Sequence, residues 1–337
     1  MSLAILRLAP LIALLSGPGP ALVSAATYNA VKEYSGSTFF NDWTFYNNYD
    51  NLTNGDAIFV SASEGASDQL AYVDSSTLHA IIKVDNTTTV PYNQKRNTVR
   101  ITSNDSFAIG SVWVADMYHV PYGCSVWPAW WSQAPSWPAG GEIDTFEGVN
   151  MMTMNQMSLH TETGCMVENQ NQTSTLIQST NCSASANGNQ GCIVQDPSGS
   201  SYGAGFAGVG GGAFVTEMAE SGINIWFFPR SQIPSSLTSN ASTIDTSTFG
   251  TAVGNWPSGG CNTTEFFQPQ QLIFDITLCG AGSPATFNAT CTGVCYNDYV
   301  IGPASNYNEA YFEIGYVRVF GTEGADTVIS PSGSSGV

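Results

Sequence analysis

The chain nowhere sustains a helical period. Its apolar residues come in short runs rich in β-branched and aromatic side chains, each closed by Gly, Pro, Asn or Ser. Ala57-Ile58-Phe59-Val60, Leu78–Val84, Thr98–Thr102 and Ser111–Asp116 read as strands in the first half. Asn155–Thr161, Ala213–Glu217, Ile223–Phe228, Gln271–Ile276 and Tyr311–Phe320 read the same way in the second. Strands without an amphipathic helix bury their apolar faces by packing sheet on sheet. The expectation is therefore an all-β fold, a β-sandwich jelly roll of two antiparallel sheets whose curvature leaves a concave groove.

At the start, Leu11-Ile12-Ala13-Leu14-Leu15 follows a single Arg7, and Val23-Ser24-Ala25 supplies a small-x-small cleavage pattern. Residues 1–25 read as a secretory signal peptide, too short for a membrane span. No linker interrupts 26–325, which reads as one domain. Residues 326–337 end in Ser-Pro-Ser-Gly-Ser-Ser-Gly-Val and read as a flexible tail, with no hydrophobic stretch after it to signal a lipid anchor. Eight cysteines (Cys124, Cys165, Cys182, Cys192, Cys261, Cys279, Cys291 and Cys295) imply four disulfides in an oxidising compartment, with connectivity unreadable. The competing zinc reading rests on Cys291 and Cys295 alone. The polar stretch 163–212, which contains three of these cysteines, reads as disulfide-pinned loops. Eight Asn-x-Ser/Thr sequons, from Asn51 to Asn288, avoid the segment between Trp113 and Glu147. A net charge of -18 with only eight Lys and Arg opposes binding to nucleic acid or anionic membranes and favours a neutral partner. A monomer is expected.

Against a background in which only 10% of residues are charged, Gly140-Gly141-Glu142-Ile143-Asp144-Thr145-Phe146-Glu147-Gly148 places three carboxylates in six positions. Glu142 and Asp144 share a strand face by parity, and Glu147 does not. It rejoins them only if Thr145 or Phe146 is absorbed in a β-bulge. Three acids on one face raise at least one pKa, which is the split that glycoside hydrolysis exploits: one carboxylate ionised, another holding a proton. A solvated acidic strand face is the bland alternative. Upstream lie Trp127, Trp130, Trp131 and Trp137, residues that either pack in a core or stack on sugar rings. Trp130 and Trp131 must face opposite ways on a strand.

Trp127-Pro128-Ala129-Trp130-Trp131, Trp137-Pro138-Ala139-Gly140-Gly141 and the carboxylate run resemble glycoside hydrolase family 16, in particular its fungal endo-1,3(4)-β-glucanases of the laminarinase type. The resemblance covers nearly all of the mature chain, including His119–Cys124, Leu159-His160-Thr161 with Gly164-Cys165, and Trp226–Arg230. It implies a concanavalin A-like sandwich, secretion, and retaining hydrolysis of β-1,3 or mixed β-1,3/1,4 glucan. Glu142 would be the nucleophile, Glu147 the general acid/base, and Asp144 the helper between them. Trp131, Trp137, His160 and Arg100 are the candidate substrate contacts. His160 is alternatively a structural histidine, and Arg100 alternatively pairs with an acidic residue. No cofactor is required, and the family leaves room for a structural calcium ion without assigning its ligands here. After Cys279-Gly280 the chain lacks the Asp-Trp pair usual in laminarinases, and Ala310-Tyr311-Phe312 carries Phe where Trp is common. A wall-remodelling transglycosylase and a non-catalytic glucan-binding protein remain the alternatives.

Overall fold

The computed structural model describes residues 27–237, 241–280 and 284–331. The expected signal peptide, the Ala281-Gly282 that follows Gly280 and the last six residues of the tail lie outside them. Two nine-stranded sheets dominate. The outer sheet runs in the order Thr243–Asp245, Thr27–Ser35, Tyr311–Thr322, Ser111–His119, Gly212–Ala219, Gly222–Pro229, Gly254–Pro257, with Ala80–Lys83 and then Ala71–Val73 branching from Tyr311–Thr322. The groove sheet runs Thr175–Leu176, Val194–Gln195, Gln156–His160, Glu142–Glu147, Val126–Gln133, Gln270–Leu278, Arg100–Phe107, Trp43–Phe45, with Val328–Ile329 branching from Arg100–Phe107.

Period-2 alternation sends Trp130, Ile143, Leu159 and Phe274 of the groove sheet inward, and a bulge in the strand Glu142–Glu147 adds Phe146. There they meet Trp113, Ala115, Phe214, Phe227 and Phe312 of the outer sheet, and all ten belong to one buried cluster. Phe274 stacks on Trp130 at 4.2 Å between centroids and meets Phe312 edge-on at 5.2 Å. Each such side chain removed from water contributes about 1.5–3 kcal/mol. A second apolar cluster covers the far side of the outer sheet, where Tyr28, Val112, Val114, Val215 and Trp226 pack under Leu237, Ile244 and Phe249.

All eight cysteines pair, as Cys124–Cys291, Cys165–Cys261, Cys182–Cys192 and Cys279–Cys295. Cys291 and Cys295, the closest approach to zinc-like spacing, go to different partners, and two of the bridges pin the 163–212 segment as expected.

Beside the two large sheets, a small third sheet of Asn48–Tyr49, Ala57–Phe59 and Arg96–Thr98 contains a parallel pair. One expectation needs correction. The tail boundary at 326 is too early: Thr327 is buried, and Val328–Ile329 pairs with Arg100–Phe107. These β-branched residues suit a sheet edge, and only the residues after them have a linker composition.

Candidate active site

The parity problem of the carboxylates is resolved in the backbone. Along one neighbour of Glu142–Glu147, Trp131 faces Asp144 and Trp130 faces Phe146. Along the other, Ser158 faces Asp144 and Gln156 faces Glu147, so two residues oppose one. Thr145 is the extra residue. It turns into the interior, fully buried, with its hydroxyl against that of Thr216 in the opposite sheet. Phe146 then drops into the core, stacked on Tyr202 at 5.2 Å, and Glu147 joins Glu142 and Asp144 on the open face.

The strand is held tightly where it begins. At its start, a Cβ on Gly140 would lie 2.3 Å from that of Ala134, and one on Gly141, which has φ +74°, would lie 2.4 Å from the Phe267 ring. Only glycine fits there. The Gln270 amide donates to the carbonyls of Gly140 and Gln268 at 2.9 and 2.8 Å, fixing the turn.

Each outer carboxylate is met by an indole. Trp127 Nε1 donates to Glu147 Oε1 at 2.8 Å, and Trp137 Nε1 donates to Glu142 Oε2. Trp137, preceding a cis proline, is 43% exposed and offers a free ring face beside Glu142. Asp144 is buried between them and accepts from the Ser158 hydroxyl. His160 closes the cluster, its Nε2 3.3 Å from Asp144 Oδ2 and 3.9 Å from Glu142 Oε1, and its Nδ1 3.1 Å from Asn189 Oδ1.

Burial, reinforced by the Asp144 charge, pushes both Glu142 and Glu147 well above the usual carboxylate range. Burial opposes a charge on His160, but the carboxylates of Glu142, Asp144 and Glu147 outweigh it and raise the imidazole to about 10. The cluster therefore holds a proton among its carboxylates near neutral pH, next to a charged imidazolium. That is what acid–base and nucleophilic work on one substrate requires. Glu142, Asp144 and His160 also offer donor atoms within 4.8 Å of one another, a spacing that suits a cation. Asp144 and His160 also meet the Ser158 hydroxyl, and Glu142 meets the Trp137 indole.

The other sequence candidates divide. Trp130 is fully buried and Trp131 half-buried, on opposite faces as parity requires. Arg100 makes the acidic pairing that its second reading names. It is 6% exposed, its Nη1 lies 2.8 Å from Asp275 Oδ2, and its guanidinium sits 4.9 Å from the Trp131 ring and 5.5 Å from that of Tyr46. It supports the floor under Trp131 and presents little surface to a ligand. The carboxylate contacts of Trp127 and Ser158 lie beyond the sequence expectations. Both carry a readable signal, since Trp127 lies four residues before Trp131 on one strand and Ser158 two before His160, even spacings that share a face. A Cβ on Gly280 would lie 2.7 Å from the Trp127 ring, so the glycine that ends the Gln270–Leu278 arm is moulded to that indole.

A β-sandwich with a row of buried carboxylates under tryptophans on an open sheet face defines a glycan-processing enzyme class. The sequence matches the XgeA-like catalytic GH16 domain over residues 43–320, and the chain belongs to glycoside hydrolase family 16. It is 39% identical over 302 residues to a probable glycosidase of Schizosaccharomyces pombe, spanning 88% of this chain and 70% of that protein. It is 36% identical over 308 residues to the endo-1,3(4)-β-glucanase xgeA of Emericella nidulans, spanning 88% of this chain and 48% of that one. The chain thus spans about half the length of that endoglucanase. Among solved structures, GH16 laminarinase 16A of Phanerochaete chrysosporium, with β-glucans in donor and acceptor sites, superposes with a TM-score of 0.83 at 35% identity over 88% of this chain and all of that one. An elongating GH16 β-1,3-glucosyltransferase superposes at 0.79 with 36% identity over 87% of this chain and 99% of that one.

Proposed function

We propose that this chain is a secreted endo-acting β-glucanase that hydrolyses β-1,3 or mixed β-1,3/1,4 glucan with retention of configuration. The observation that carries the proposal is the bulge at Thr145, which sets Glu142 and Glu147 on one open face, each under an indole N–H. Glu142 attacks the anomeric carbon while Glu147 protonates the departing oxygen, and water activated by Glu147 then releases the glycosyl-enzyme. Asp144 lies between them and, with His160, tunes their charge. Trp137 supplies a ring face for a sugar next to Glu142. The chemistry needs no cofactor, because every reacting group is a side chain. The site is complete within one chain, which supports a monomer. Export fits the four disulfides, and the sequons at Asn51, Asn171, Asn262 and Asn288 are exposed. Among the described residues no helix is long and apolar enough to cross a membrane.

A reducing-sugar assay on β-1,3-glucan, mixed-linkage glucan, xyloglucan and agarose, with Glu142→Ala as control, tests this reading. Activity on the first two, lost in the variant, is the expected result; equal inactivity on all four overturns it. The likeness to a glucosyltransferase favours a second reading, in which the glycosyl-enzyme passes to a sugar. Products longer than the substrate, formed with an added oligosaccharide acceptor, would mark it. A purely glucan-binding role is disfavoured by the retention of all three carboxylates on the open face.

A further inference from the structure

The bulge that carries Glu147 into the groove breaks the strand ladder, and the broken backbone groups have to be paired elsewhere. One side chain takes both. Fully buried Asn155, just ahead of the strand Gln156–His160, donates from Nδ2 to the carbonyl of Thr145 at 2.9 Å and accepts at Oδ1 from the backbone N–H of Glu147, also at 2.9 Å. Asn155 is itself fixed: its N–H donates to Ser201 Oγ at 2.9 Å, and its carbonyl accepts from the N–H of Asp196 at 3.0 Å. Ser201 in turn donates to the Ser198 carbonyl at 2.7 Å. The next residue, Tyr202, stacks on Phe146 and lies so close to Gly148 that a Cβ there would be 2.4 Å from its ring.

We propose that Asn155 is the positioning residue for Glu147, clamping the bulge at Thr145 so that the acid/base stays aimed into the groove. An amide suits this task because it presents one donor and one acceptor at fixed spacing. Without it the bulged segment can relax toward a regular ladder, and a one-residue slip would turn Glu147 to the other face. The inference rests on the reading of Glu147 as acid/base. It predicts a loss that follows the need for proton transfer, because a misplacement of about 1 Å costs about 10²-fold in rate.

The test compares Asn155→Ala and Asn155→Asp with the unaltered protein on polymeric β-1,3-glucan and on 2,4-dinitrophenyl β-laminaribioside, the latter with and without azide. On the aryl substrate Glu142 attacks the anomeric carbon and the bond to dinitrophenolate breaks. That anion departs with the electron pair and needs no proton. Azide then attacks the glycosyl-enzyme, forming a C–N bond and freeing the Glu142 carboxylate without a base. For both variants, kcat on glucan is expected to fall about 10²-fold with KM within about two-fold, and the deficit on the aryl substrate with azide is expected to shrink to a few-fold. Asn155→Asp keeps the acceptor for the Glu147 N–H and gives the same test where the alanine variant fails to fold. An equal loss on both substrates, or full activity of a folded variant on glucan, overturns the proposal. An unaltered protein inactive on every glucan overturns the hydrolase reading instead.

Discussion

The outer faces of the two sheets use buried carboxylates in opposite ways. On the outer sheet, Glu217 accepts from Tyr28 Oη at 2.8 Å, Thr246 Oγ1 at 2.7 Å and Asn224 Nδ2 at 2.8 Å, under the apolar cover of Leu237, Ile244 and Phe249. Its neighbours are neutral donors, and its face is closed. On the groove sheet, Glu142 and Glu147 each receive one indole N–H, sit beside Asp144, and face an open surface. One arrangement satisfies the charge and ties strands together. The other leaves charge under-satisfied and so keeps a proton available for chemistry.

Substitutions can break this contrast. Glu142→Gln is expected to lower hydrolysis of β-1,3-glucan by at least about 10³-fold, with a urea midpoint no lower than that of the unaltered protein, because a mutually repelling carboxylate is removed; activity and unfolding curves on one preparation check both. Glu147→Gln is expected to lose about 10²–10⁴-fold, with azide restoring turnover of an activated aryl glycoside. Glu217→Ala should show the reverse pattern, losing about 2–3 kcal/mol of stability by orphaning the buried Tyr28 and Thr246 hydroxyls and the half-buried Asn224 amide while the folded fraction keeps its kcat.

The pH response sharpens the contrast at smaller amplitude. The pKa values of Glu142, Glu147 and His160 are all raised in the folded state, so the native chain holds more protons than the unfolded one from about pH 4.5 upward. Stability from these groups is then present at low pH and lost as pH rises, first through the raised range of the two glutamates and last, for His160, through about 10. The urea midpoint should be lower at pH 8 than at pH 5, and Glu142→Gln should flatten that difference. Hydrolysis should fall as pH rises above neutral and the proton shared by the Glu142–Glu147 pair is lost.

Much of this was legible in the residues. Alternation along Val126–Gln133 sets Trp130 and Trp131 on opposite faces, and the odd spacing of Glu147 calls for a bulge if the three acids are to share one. Arg100 was different. A strand arginine reads equally as a sugar ligand or an ion-pair partner, and only the pairing of Arg100–Phe107 with Gln270–Leu278 brought Asp275 opposite it. Asn155 gave no signal at all, because an Asn ahead of a strand is ordinary turn chemistry until the bulge it closes is in view.

The sequence by itself determined the sandwich, the four disulfides as a number, and the three acids with their parity conflict, since strand period and carboxylate spacing are local properties of the chain. Tertiary structure alone decided which cysteines pair, which residue the bulge absorbs, and which indole caps which carboxylate. Those outcomes depend on contacts between segments far apart in sequence, such as Cys124 with Cys291 and Trp127 with Glu147, and local pattern carries no information about register between strands until they are packed.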